Sequence, residues 1–140
     1  MILLDANVII DVFDKGSAFN GWANQVIIDA VASGPGAAVN PVALAESLQQ
    51  VTDAKKAIQE LISLGIQMLD LPHQSAEIAA TAYAAYLQNR KASGRPPPQS
   101  KMPLPDFFIG AHAESSNFTV ATRDLERFET YFPKVNLIKP

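Results

Sequence analysis

Asp5, Glu46, Asp106 and Asp124 each close or follow a strand-like run: ILLD, AAVN leading into PVALAE, the LPD after a proline-rich stretch, and FTVATRD. In a parallel α/β sheet the carboxyl ends of the strands share one edge, so acids placed there can meet in one crevice. Carboxylates brought together repel one another unless a divalent cation neutralises them. A ligand set made only of oxygen favours Mg²⁺ or Mn²⁺ over zinc. Phosphodiester hydrolysis is the natural use of such a centre, and it needs no side-chain nucleophile.

The elements that must position these acids follow from the pattern along the chain. ILLD (2–5) reads as a strand buried on both faces, with Asn7 as N-cap of the helix behind it. Residues 19–33 carry Phe19, Trp22, Ala23, Val26, Ile27, Ala30 and Val31 at helical spacing. Gly34-Pro35-Gly36 stops that helix, and AAVN is the second strand. Asn40-Pro41 is an N-cap followed by proline at the first helical position, opening a helix to about Gln50. Asp53 caps another helix, with Ala54, Ala57, Ile58, Leu61, Ile62 and Leu64 inward and Gly65 at its end. IQMLDL is the third strand, and an alanine-rich helix follows from about Ser75 to Lys91. Residues 92–103, with four prolines, cannot be regular structure. PDFFIGAHAESS, NFTVAT, DLERFETYF and VNLI complete the alternation as helix, strand, helix and strand. Such alternation predicts one α/β domain over 1–140, a parallel five-stranded sheet covered by helices.

Each acid alone has a structural explanation. Asp5 and Asp124 are favoured helix caps, and Asp106 lies in a first helical turn, facing the positive end of the dipole. Glu46 lies too deep in its helix to cap, and solvent exposure is its plain reading. Joint placement changes the weighing. With strand order 3-2-1-4-5 the four acids flank the topological switch point, while Asp70 ends an outer strand. His73 and His112 are single, and His112 reads as a packed or surface histidine rather than a ligand. Phe107 and Phe108 flank the start of the acidic helix, where burial is the expectation for at least one.

Bulk composition narrows the class. The chain has 140 residues, 48% of them hydrophobic and 18% charged, which excludes disorder and leaves apolar surface for a partner or second copy. A net charge of −3 excludes a protein that is basic throughout, so contact with nucleic acid must use a local patch or metal ions. There is no cysteine, which removes disulfides, thiolate ligands and thiol nucleophiles. Met1 leads straight into ILLD and no apolar run reaches membrane length, so the expected location is cytoplasmic.

LLDANVIID, ALAES, LPDFFIGAHA and VATRDLERF, in this order and at these spacings, together resemble a PIN (PilT N-terminus) domain over the full chain, with VapC-like ribonuclease toxins nearest in size. The resemblance implies a Rossmann-like three-layer α/β/α sandwich and a Mg²⁺- or Mn²⁺-dependent endoribonuclease. It further implies a homodimer silenced by a small antitoxin that inserts near the acidic site. Asp5, Glu46, Asp106 and Asp124 match the family's metal-binding and catalytic acids, Asn7 its supporting asparagine, and Thr122 the hydroxyl residue before the last acid. Members commonly carry Thr or Ser directly after the first Asp. Here the residue is Ala6, so a hydroxyl beside the metal ligands is missing.

Positive charge is uneven. Arg90, Lys91, Arg95 and Lys101 fall within twelve residues that contain no acid, directly before Asp106. A solvated linker accounts for the prolines, and a cationic strap against an RNA backbone is the functional reading. Arg123, between Thr122 and Asp124, is the other candidate for a phosphate contact, so the expected RNA-binding set is Arg123, Arg95 and Lys101. Other classes fit less well. A haloacid-dehalogenase-type phosphatase needs a carboxylate where Asn7 stands. A receiver domain needs an acceptor Asp and a late lysine, for which Asp70 and Lys139 are poor stand-ins. A catalytically weak or inactive PIN-like binding module is the remaining alternative, supported by Ala6.

Overall fold

The computed structural model describes residues 1–32 and 34–140. Five short parallel strands form one sheet: β1 (Ile2–Leu4), β2 (Ala37–Val39), β3 (Gln67–Met68), β4 (Thr119–Ala121) and β5 (Leu137–Ile138). Their order is β3-β2-β1-β4-β5, the order expected, with β1 central. Ile2, Leu3 and Leu4 are buried, as are Ala37, Ala38 and Val39 beside them. Apolar runs without alternation are what a sheet flanked by helices on both faces requires.

Among the described residues seven helices connect the strands: α1 (Ala6–Phe13), α2 (Asn20–Ala32), α3 (Pro41–Ser47), α4 (Ala54–Ser63), α5 (Ser75–Ala92), α6 (Pro105–Ser116) and α7 (Glu126–Tyr131). Local chemistry fixes their ends. Asn40 Oδ1 accepts from the Ala43 N–H at 2.9 Å, and Pro41 follows as the first helical residue. Asp53 Oδ1 accepts from Lys56 N–H at 3.0 Å. α4 closes at Gly65, whose φ of 86° suits glycine. A Cβ there would also meet Val31 Cγ1 at 2.7 Å, so the position is constrained twice. Asn117, at φ 54°, ends α6, and the Phe118 N–H returns to Ala113 O at 2.9 Å.

Three local expectations need correction. The N-cap of α1 is Asp5, not Asn7, because β1 runs into α1 with no loop between. The helix after Asn40 stops at Ser47 rather than near Gln50. On α4 only Ala57 and Leu61 are buried, while Ile62 is 53% and Leu64, just past its end, 44% exposed, as α4 leads to the edge strand β3. At Phe107 burial follows the expectation. Phe107 is fully buried against Tyr83 and Tyr86 of α5 and Phe132 after α7. α1, α3 and α6 pack together in the pairs α1–α3 and α3–α6 above the carboxyl ends of β1 and β2, the arrangement that brings their acids close. Among the described residues no helix is long and apolar enough to cross a membrane.

Candidate metal centre

Asp5 stands where β1 becomes α1 and is only 2% exposed. Its Oδ1 accepts from the Ala6 N–H at 2.7 Å, so the same carboxylate caps α1. Its Oδ2 accepts from the Thr122 hydroxyl at 2.6 Å and the Asn7 amide at 2.7 Å. Thr122 Oγ1 also accepts from the Asp124 N–H at 3.0 Å. β4, beside β1, delivers Thr122 to this position. Ala6 therefore does not leave Asp5 without a hydroxyl neighbour: Thr122 supplies one from the adjacent strand.

Glu46 lies on α3 and Asp106 in the first turn of α6. One carboxylate oxygen from each of Asp5, Glu46 and Asp106 lies within 4.8 Å of the others. Confinement has an electrostatic cost. Burial, together with the charges of Asp106 and Glu46, raises Asp5 from 3.8 to about 7, against the lowering effect of its hydrogen bonds. Burial and then the charge of Asp106 raise Glu46 as well, while Arg127 pulls it down. Glu46 Oε2 is buried and accepts no hydrogen bond among the described residues.

A positive side chain already answers part of this charge. Arg127, on α7, donates from Nη1 to Asp106 Oδ2 in a short ion pair. Burial alone would lower the guanidinium's pKa, but the bond to Asp106 and the charges of Asp106, Tyr86 and Asp124 raise it on balance. Arg127 was not among the residues singled out from the sequence. Its only local signal is a basic residue one helical turn beyond Asp124, since its partner lies 21 positions away.

The other candidates are not members of this trio. Asp124 is exposed, lies outside the group of three, and does not cap α7, whose N-cap is Leu125. The Arg123 N–H donates to Asn7 Oδ1 at 3.4 Å, while its side chain reaches the buried Asp11, with Nε 3.0 Å from Oδ2, a contact of charge not aligned as a hydrogen bond. Its guanidinium lies 5.0 Å from the centre of the Phe19 ring. Arg95 borders a cleft between the end of α5 and α7, and Lys101 is exposed beyond it. His112 is packed, 1% exposed, near Asn40 and Phe118, and burial lowers its pKa. His73 is exposed.

These residues fit a hard divalent cation. The donor set is entirely carboxylate oxygen, at least one oxygen lacks a partner, and two of the acids have raised pKa values that a cation would reverse.

The sequence profile of the PIN domain matches residues 2–132, and the chain belongs to the PIN domain family. No curated protein sequence matches it. Solved structures share its fold at low identity. The chain is similar to one in the crystal structure of VapBC2 from Rickettsia felis bound to a DNA fragment from their promoter, with TM-score 0.68, 15% identity, and coverage of 100% of this chain and 99% of that one. It is similar to a chain of a toxin–antitoxin complex from Klebsiella pneumoniae, with TM-score 0.58, 21% identity, and coverage of 91% and 90%. It is also similar to VapC20 of Mycobacterium tuberculosis, a sarcin–ricin loop cleaving toxin, with TM-score 0.62, 14% identity, and coverage of 97% and 99%.

Proposed function

We propose that this chain is an endoribonuclease that hydrolyses RNA phosphodiester bonds with Mg²⁺ or Mn²⁺, and that it is the toxin of a type II toxin–antitoxin pair. The observation that carries the reading is the convergence of Asp5, Glu46 and Asp106, with a buried Glu46 oxygen that no protein group satisfies. A divalent ion bound there supplies an acidified water and charge neutralisation at the phosphate.

The chain's own residues do the rest. Asp5 and Asp106 hold the ion, and Glu46 completes the shell. Asn7 and Thr122 fix Asp5 Oδ2, so the carboxylate cannot rotate away. Asp124, tied to Asp5 through its N–H bond to Thr122 Oγ1, would orient the attacking water or contribute to a second ion. Arg127 offers a guanidinium beside Asp106, where a phosphate oxygen can meet it.

Support for the toxin assignment comes from membership of the PIN family and from the full-length likeness to chains of a toxin–antitoxin complex and of an RNA-cleaving toxin. On this reading the protein is a cytoplasmic homodimer whose site a small antitoxin covers. The test is incubation of the purified chain with end-labelled RNA in Mg²⁺, in Mn²⁺ and in excess chelator. Discrete cleavage with either metal, absent with chelator and absent in Asp5→Asn, supports the proposal. Intact RNA under all conditions overturns it.

A further inference from the structure

A polar cavity of about 320 Å³ opens between the last turn of α5 and α7, linked to the acidic trio through Arg127, which lines it and pairs with Asp106. Three guanidinium groups border it, those of Arg90, Arg95 and Arg127, against the carboxylates of Asp124 and Glu126. In a chain of net charge −3 this is a local excess of positive charge.

The three arginines differ in what they are free to do. Arg90 is committed to structure. Its Nε and Nη2 donate to Pro96 O at 3.0 and 2.6 Å, its Nη1 donates to the Tyr86 hydroxyl at 3.2 Å, and its guanidinium lies 5.6 Å from the Tyr86 ring centre. This clamp folds the proline-rich segment back onto α5. Gly94, at φ 70°, makes the turn, and the Arg95 N–H donates to Arg90 O at 2.9 Å. Arg95 is thereby carried to the cavity rim, where its guanidinium has no hydrogen-bond or ion-pair partner among the described residues. Arg127 belongs to both places, bonded to Asp106 on one side and bordering the cavity on the other. The ring of Tyr131, held through its hydroxyl by the Asn89 amide at 3.0 Å, forms part of the wall.

We infer that this cavity is a subsite for one nucleotide of a single-stranded RNA substrate, with Arg95 binding the phosphate next to the one that is cleaved. The inference rests on the nuclease reading above and adds a register to it. A strand whose scissile phosphate lies at Asp5, Glu46 and Asp106 runs past Arg127 into the cavity. The volume lies at the lower end of small-molecule sites, the size of one nucleotide unit rather than a longer segment. An organised guanidinium beside tyrosine rings combines phosphate pairing with a surface on which a base can stack. The segment expected to act as a strap from Arg90 to Lys101 thus divides: Arg90 positions, Arg95 binds, and neither Lys91 nor Lys101 borders the cavity.

The test measures binding of a fluorescent single-stranded RNA by anisotropy, in chelator so that no cleavage occurs, over a series of salt concentrations. Wild type, Arg95→Gln, Arg95→Lys and Lys55→Gln are compared. Lys55 is exposed on α4, which leads to β3 at the opposite edge of the sheet from β5. Arg95→Gln should weaken binding about fivefold to tenfold and reduce the slope of log K against log salt by about 0.7, the loss of one phosphate contact. Arg95→Lys should restore most of the slope, and Lys55→Gln should match wild type. An unchanged Kd and slope in Arg95→Gln, an equal loss in Lys55→Gln, or no RNA binding by wild type overturns the subsite. If Arg95→Gln loses affinity for polyglutamate but not for RNA, the cavity takes an acidic peptide instead and the inference is wrong. These outcomes are separable from the nuclease reading. Wild type that still cleaves RNA with Mn²⁺ while Arg95→Gln binds normally loses only the subsite.

Discussion

Arg127 and Asp106, on helices 21 residues apart in sequence, form an ion pair at the edge of a group of three acids. The guanidinium occupies one oxygen of a carboxylate that the proposed function assigns to a metal, so the pair and the metal share a ligand.

Replacing Arg127 should therefore act in two directions. In Arg127→Gln the metal-free protein should lose about 1 kcal/mol of stability, since the pair is over a third exposed on the arginine side and solvent screens it. Mn²⁺ affinity should rise about threefold to tenfold, because a competing positive charge has gone. Chemical denaturation and titration calorimetry measure the two effects. Weaker Mn²⁺ binding in Arg127→Gln would contradict the shared-ligand account.

The raised pKa of Asp5 makes stability depend on pH. Its value in the folded chain is about 7 against an ordinary 3.8, so between these limits the folded state keeps a proton that the unfolded chain has released. The contribution of Asp5 to the stability of the metal-free protein is therefore fully present below its ordinary value and is lost as pH rises through this window. Glu46, raised in the same direction, adds to the fall. Saturating Mn²⁺ should flatten or invert the slope, because it binds the ionised carboxylates. Urea midpoints in chelator at about pH 5 and about pH 7.5 provide the check, and a midpoint that rises with pH without metal contradicts it.

Thr122→Val keeps the shape of the side chain and removes the hydroxyl from Asp5 Oδ2. The expected loss is about tenfold to 100-fold in metal affinity or cleavage, typical for a residue that orients a ligand. Asp5 should titrate higher still, since this bond is what most lowers its pKa. Unchanged Mn²⁺ affinity and turnover would show that the hydroxyl does not position the acid.

Gly110, in the middle of α6, lies directly against the Phe132 ring, and a Cβ there would overlap ring carbons. Phe132 is buried and cannot yield without moving the aromatic cluster around Phe107. Gly110→Ala should cost about 1–3 kcal/mol despite alanine's better helix propensity. A stability equal to or above wild type would mean that the ring has room to shift.

Much of this architecture is legible in the sequence because short parallel strands are marked by continuous apolar triplets and helix starts by Asn40-Pro41 and Asp53. Strand order points to Asp5 and Glu46, which follow β1 and β2, but the same reasoning also places Asp124 in the group, and Asp106 follows no strand: it stands in the first turn of α6, ahead of β4. Other features depend on geometry that residue patterns do not carry. Asp5 caps α1 as well as facing the site because no loop separates β1 from α1. Asp124 lies three residues past β4, where the path of the turn decides its direction, and that path leaves it exposed. Arg123 and Arg127 sit one turn apart, yet Asp11 draws one away and Asp106 draws the other in. Which arginine meets which acid is a matter of tertiary packing.

The most direct test of the central claim is calorimetric titration of Mn²⁺ into the chelator-stripped protein and into Asp5→Asn, Glu46→Gln and Asp106→Asn, each checked for folding by circular dichroism. The account predicts saturable binding by wild type, with a thermal shift of roughly 10 °C at about 100 times Kd, and loss of that binding in all three folded variants. Wild type that binds no Mn²⁺, or three variants that bind it as wild type does, would contradict the account.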